Sequence, residues 1–178
     1  MKDQWQAYPL ARSAIVLGVA GGNGLEYCGK QLEHIYGIDI NKGYLESCHK
    51  RFGKILGPKL HLIQMDVGQP QAKLPRADLL LADLVIEYVG VEIFCQKAAA
   101  SQAKLVSCVI QLPGKSFVSN SPYQDGLQAI GVLHQDIAPE DLQTGMGLYG
   151  YEEAIFQTVV LPDGKWLLRA DYQKYLKE

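Results

Sequence analysis

Residues 14–24 read Ala-Ile-Val-Leu-Gly-Val-Ala-Gly-Gly-Asn-Gly, an apolar run that breaks into a glycine-rich turn. A short apolar run bounded by turn residues reads as a buried strand, here over 14–19. Gly21, Gly22 and Gly24 then allow the backbone to bend sharply and another molecule to approach it closely. The segment 24–33 is predicted as the following helix, with its free N–H groups and positive end facing the turn. Such a turn alone says little, because many strands and helices are joined this way.

Working outward, the same unit recurs. Residues 34–40 (HIYGIDI) read as a second strand with Asp39 near its end. Asn41 is a good helix cap, and Tyr44, Leu45, Cys48, Phe52 and Ile55 follow at helical spacing until Gly57-Pro58 stops the helix. A third strand over 60–65 leads to Asp66, and a fourth covers 78–84. Val85, Val89 and Ile93 mark one helix running to 98–100, and 104–111 is a fifth strand. Pro139 opens a short helix over 139–143, since proline is tolerated in a first turn. The end differs: strands over 153–161 and 165–172 flank Pro162-Asp163-Gly164, an antiparallel hairpin.

Alternating strands and helices with short connections imply an α/β fold, a mostly parallel sheet with helices on both faces. Ligands in such sheets sit beyond the carboxyl ends of the strands, near the point where strand order reverses. Asp39 lies 21 residues after Gly18. An acid there suits a pair of ribose hydroxyls, so turn plus acid points to an adenosine-containing ligand. Asp66 and Asp83 close the third and fourth strands, and each also suits a helix or loop cap.

These features, in this order, resemble the class I S-adenosylmethionine-dependent methyltransferases over roughly 14–172. The resemblance implies a three-layer α/β/α, Rossmann-like, seven-stranded and mostly parallel sheet with an antiparallel terminal hairpin. It implies a single domain over 1–178: an arm over 1–13, a cofactor-binding half over 14–111 and an acceptor-side half over 112–178. The family's first motif falls on Gly18, Ala20, Gly22, Asn23 and Gly24. Its ribose acid matches Asp39, followed by Ile40. Its adenine-side acid matches Asp66, followed by Val67. Its fourth motif matches 78–88. Gly18 stands where the family has an acid, and Ala20 where it has a glycine. Asp83 is expected to compensate by facing the ammonium of the cofactor, S-adenosyl-L-methionine.

Methyl transfer from a sulfonium is in-line displacement of an activated leaving group, so alignment carries much of the rate. A base is required only for a protonated acceptor. Glu87 and Tyr88 are the candidate catalytic residues, with His134, Trp5 and Tyr8 as further candidates near the acceptor. Residues 119–123 (SNSPY) resemble the Asn-Pro-Pro-Tyr motif of enzymes that methylate base amino groups, but follow the fifth strand instead of the fourth.

The chain has 178 residues, 17 basic and 19 acidic, for a net charge of −2. That balance carries no nucleic-acid signal. No apolar run approaches the roughly 20 residues of a membrane span, and the first residues lack a signal-peptide core. Cys28, Cys48, Cys95 and Cys108 form no metal-ligand spacing, so no metal is expected and a cytoplasmic location is. A small-molecule acceptor is expected, because no large insertion is visible beyond the arm and the 111–126 loop. Oligomeric state is not legible. Two alternatives remain: a non-catalytic cofactor-binding or scaffold protein of this fold, and an NAD(P)-dependent oxidoreductase. None of the ten tyrosines has the lysine four positions on that short-chain dehydrogenases use.

Overall fold

The computed structural model describes residues 1–112 and 134–175. Strands β1 (Ser13–Leu17), β2 (His34–Asp39), β3 (Leu60–Gln64), β4 (Leu79–Asp83), β5 (Leu105–Gln111), β6 (Tyr151–Val160) and β7 (Trp166–Lys174) form one sheet. Its order is β3-β2-β1-β4-β5-β7-β6. The first five strands run parallel, and β7 enters antiparallel between β5 and β6. The expected seven-stranded sheet and terminal hairpin are therefore present. The order turns back between β1 and β4, which opens a crevice at their carboxyl ends.

The central strands are apolar on both sides because helices cover both faces. Successive side chains alternate across the sheet. Ala14, Val16, Leu79 and Leu81 face one core, with Trp5 of α1 (Lys2–Ala7) and Leu45, Cys48 and Phe52 of α2 (Lys42–Leu56). Ile15, Leu17, Leu80 and Ala82 face the other, with Phe94, Cys95 and Ala98 of α4 (Val91–Ala100) and Leu142 and Met146 of α5 (Pro139–Leu148). Asn41 caps α2 as expected, accepting from Tyr44 N at 3.2 Å.

Two helices depart from expectation. In place of a helix over 24–33 there is one tight turn, Leu25–Tyr27. Gly24 has φ +94, outside the helical region, and Gly29 follows. Leu25, Tyr27 and Cys28 each bond to the carbonyl three residues back, and no longer helix starts. The helix expected to run on from Val85 is split into α3 (Ile86–Val89) and α4 by Gly90, at φ +85 and ψ +148. The expected arm is itself a helix, α1, and α5 extends to Leu148.

Candidate functional site

β1 ends at Leu17, and the turn after it is fastened on two sides. Gly18 N and Val19 N both donate to Ile38 O of β2, at 2.9 and 3.1 Å. Ala20 N donates to Asp39 Oδ2 at 2.9 Å, while Asn41 N donates to Oδ1 at 2.8 Å. The turn and the acid predicted to work together are thus bonded directly. Ala20 stands at φ +47, a conformation that disfavours a side chain. The charge-assisted bond to Asp39 offsets that strain, so the alanine is tolerated where the family pattern has glycine.

On the other side, Arg51 of α2 donates from Nη1 to Gly21 O and to Asn23 Oδ1, both at 2.7 Å. No sequence signal marked Arg51; it differs from other surface cations of α2 only by its place in three dimensions. Gly22, at φ +84, lies flush on the helix: a Cβ there would come within 2.8 Å of Cys48 Sγ and of the Phe52 ring.

The third acid organises its own loop. Asp66 Oδ1 accepts from Gly68 N at 3.0 Å, and Oδ2 from Gln69 Nε2 at 2.9 Å. Val67 is buried in the α4-side core, and Ile40 is exposed. Lys97 of α4 is buried beneath this loop and donates to the carbonyls of Gln69, Pro70 and Ala72 at 2.9, 3.2 and 2.7 Å.

Asp83, at the end of β4, is largely buried. Gln4 Nε2 donates to its Oδ1 at 2.7 Å, and the Met1 amino nitrogen lies 3.5 Å from Oδ2. Burial pushes its acid up, against the pull of Gln4 and the Met1 amino group. The next residue, Leu84, has φ +54 and is pinned by its N–H to Val109 O at 2.8 Å. A bulky residue in that conformation is stored strain of the kind found near functional sites.

Glu87 of α3 is buried, although a helix-start acid is usually exposed. Its Oε1 accepts from Gln111 N at 2.8 Å, which ties α3 to the end of β5. Its Oε2 has no partner among the described residues. Burial raises the acid, and the bond from Gln111 and nearby His134 only partly oppose that. Tyr88 meets His134 edge-to-face, with centroids 5.7 Å apart, and burial pushes its hydroxyl up. Trp5 donates to Gly24 O of the glycine turn at 3.0 Å, while Tyr8 donates to Asp171 Oδ2 of β7 at 2.7 Å. Residues 119–123 lie outside the described residues.

The raised acid of Glu87 has a pH consequence. The folded state holds the proton more tightly than the unfolded chain, so stability falls as pH rises from the ordinary value of 4.5 through the raised one. Above that window the penalty is constant; below it the penalty is absent. Glu87→Gln keeps an oxygen for Gln111 N and removes the buried charge. Its thermal midpoint should exceed that of the parent by about 2–4 °C near neutral pH, what roughly 1 kcal/mol gives in a chain this size. The gain should vanish near pH 4, and calorimetric melts across pH read both.

No family model matches the sequence, and no curated protein matches it in sequence. Solved structures match closely in shape. The N-methyltransferase NodS from Bradyrhizobium japonicum, crystallised with S-adenosyl-L-homocysteine, is 13% identical, with TM-score 0.72 over 98% of this chain and 86% of that one. The methyltransferase domain of bacterial CtHen1 is 16% identical, with TM-score 0.70 over 98% and 95%. The [4+2]-cyclase SpnF is 9% identical, with TM-score 0.72 over 99% and 81%. Sheet order, antiparallel β7 and these likenesses together identify the fold of the class I S-adenosylmethionine-dependent methyltransferases.

Proposed function

We propose that the chain is an S-adenosylmethionine-dependent methyltransferase of one domain, acting on a small-molecule acceptor in the cytoplasm. The observation that carries this reading is the bond from Ala20 N to Asp39 Oδ2, which couples the glycine turn after β1 to the acid at the end of neighbouring β2. The residues present fit the cofactor. Each Asp39 oxygen has one protein donor and keeps a lone pair for a ribose hydroxyl. Gly18 and Gly22 let the turn pack flush against Val85 and against Cys48 and Phe52, which fixes the backbone that would cradle the ligand. Asp66 and the backbone of Val67 would hold the adenine edge, and exposed Ile40 would cover its ring. Asp83, in place of the acid missing at Gly18, would accept the ammonium.

When bound, the cofactor supplies a methyl group on a positively charged sulfur. The chain's own part is alignment and exclusion of water. Glu87 Oε2 receives the acceptor's proton, a role suited to a buried carboxylate with a raised acid. Tyr88, braced on His134, orients the acceptor.

Titration calorimetry with S-adenosyl-L-homocysteine, NAD and NADP tests the reading. Micromolar binding of the first alone is expected. Asp39→Ala should weaken it about tenfold to a hundredfold, since a bond to a charged group contributes roughly 1.5–3 kcal/mol. Selective NAD or NADP binding overturns the reading in favour of an oxidoreductase. A second reading, cofactor binding without transfer, is favoured by Gly18 in place of the family's acid and by the likeness in fold to a cyclase. Tight homocysteine-derivative binding without methyl transfer to any acceptor supports that one.

A further inference from the structure

Helix α1 crosses both Asp83, assigned above to the ammonium of the cofactor, and Gly24 of the glycine turn. A Cβ built on Gly24 would lie 2.8 Å from Met1 Cβ and 2.9 Å from Met1 Cγ, and would also strike Met1 Sδ. The thioether side chain therefore rests on bare backbone of the glycine turn. The Met1 amino nitrogen lies beside Asp83 Oδ2, and Gln4 Nε2 donates to Oδ1. Trp5 Nε1 donates to Gly24 O, and Trp5 is buried in the core under α1. The Gln4 amide thus lies on the acid and the Met1 thioether and Trp5 on the glycine turn, the two places that the proposed function gives to the cofactor.

We propose that α1, with the Met1 side chain at its head, occupies the amino-acid subsite and must lift before the cofactor seats. This rests on the methyltransferase reading. The contacts divide into a latch and a hinge. Gln4–Asp83, Trp5–Gly24 and Met1–Gly24 lie within the site and must part. Tyr8–Asp171 lies at the far end of α1 and stays made. A site competent only when α1 is raised binds with its intrinsic dissociation constant divided by the raised fraction. Weakening the latch therefore tightens ligand binding, the reverse of what loss of a ligand contact does.

The test uses the whole chain. Gln4→Ala removes the bond to Asp83 and should bind S-adenosyl-L-homocysteine about tenfold more tightly, the scale of one bond to a charged group. A second readout needs no change in the latch. The protein has two tryptophans, Trp5 and exposed Trp166, so Trp166→Phe leaves Trp5 as sole reporter. Saturating S-adenosyl-L-homocysteine should shift Trp5 emission to the red and open it to acrylamide quenching. Ligand binding with Trp5 still shielded, or weaker binding by Gln4→Ala, overturns the occupant and makes α1 a cover over the cofactor. Failure of both proteins to bind S-adenosyl-L-homocysteine at millimolar ligand overturns the methyltransferase reading, and the occupant with it.

Discussion

Asp171→Ala should cost about 3–5 kcal/mol, the range seen when one partner of a buried ion pair is removed. Asp171 is fully buried in the middle of β7 and collects every donor around it. Ser107 Oγ donates to Oδ1 at 2.5 Å from the facing position of β5, and Tyr8 OH to Oδ2 at 2.7 Å. Arg169 reaches both oxygens through Nε, at 3.0 and 3.1 Å, and Oδ2 through Nη2 at 2.5 Å. Alanine leaves Arg169, whose side chain is only 13% exposed, as an uncompensated cation against the sheet. The midpoint should fall by roughly 6–20 °C at about 2–4 °C per kcal/mol. Asp171→Leu combined with Arg169→Leu should recover much of the loss, because a buried pair replaced as a unit is often neutral. A double variant no more stable than Asp171→Ala would mean the cost lies in the bonds of Tyr8 and Ser107, and not in a stranded charge. Asp171→Ala should also expose Trp5, since it frees the hinge end of α1.

The sheet was legible because its central strands are buried on both faces and read as unbroken apolar runs, such as Leu79 to Ala82 of β4. The terminal hairpin was legible from Pro162-Asp163-Gly164. The coupling of the turn to Asp39 followed from spacing along two adjacent parallel strands, a short-range matter once the sheet is drawn. The helix after the turn was misread because the backbone becomes extended at Cys28, directly after Leu25–Tyr27, and residue type does not reveal backbone angles. The same holds for Gly90, which splits α3 from α4. Arg51, Gln4 and Met1 left no signal, because their role comes from the packing of α1 and α2 against the turn. Asp171 sits among β7 residues that read as an ordinary strand. Only the pairing with β5, which sets it opposite Ser107, makes it the centre of a polar cluster.

Lys97→Met is the second large effect. Its ammonium is the one group that gathers Gln69 O, Pro70 O and Ala72 O, a loop with no strand or helix of its own between β3 and β4. Methionine matches the length of the stem and keeps its apolar packing, so the change isolates the charge and its three bonds. Only the bond to Ala72 O is fully buried, and that carbonyl left without a donor costs about 1–3 kcal/mol, while exposed Gln69 and Pro70 turn to water. Gln69 O keeps a second donor, Ala72 N at 3.0 Å, so its loss is smaller. Relief of the buried ammonium offsets part of the remainder, and a net loss of about 1–2 kcal/mol is expected. The loss should be local before it is global. Asp66 holds this same loop through Gly68 N and Gln69 Nε2, so loosening the carbonyl side unsettles the acid assigned to adenine. Hydrogen exchange should quicken first over 66–74, while amides of β1 and β4 keep their protection until global unfolding. S-adenosyl-L-homocysteine affinity should fall in the same variant, and Lys97→Arg should restore part of it. Uniformly faster exchange across the sheet would make Lys97 a core support and separate it from the site.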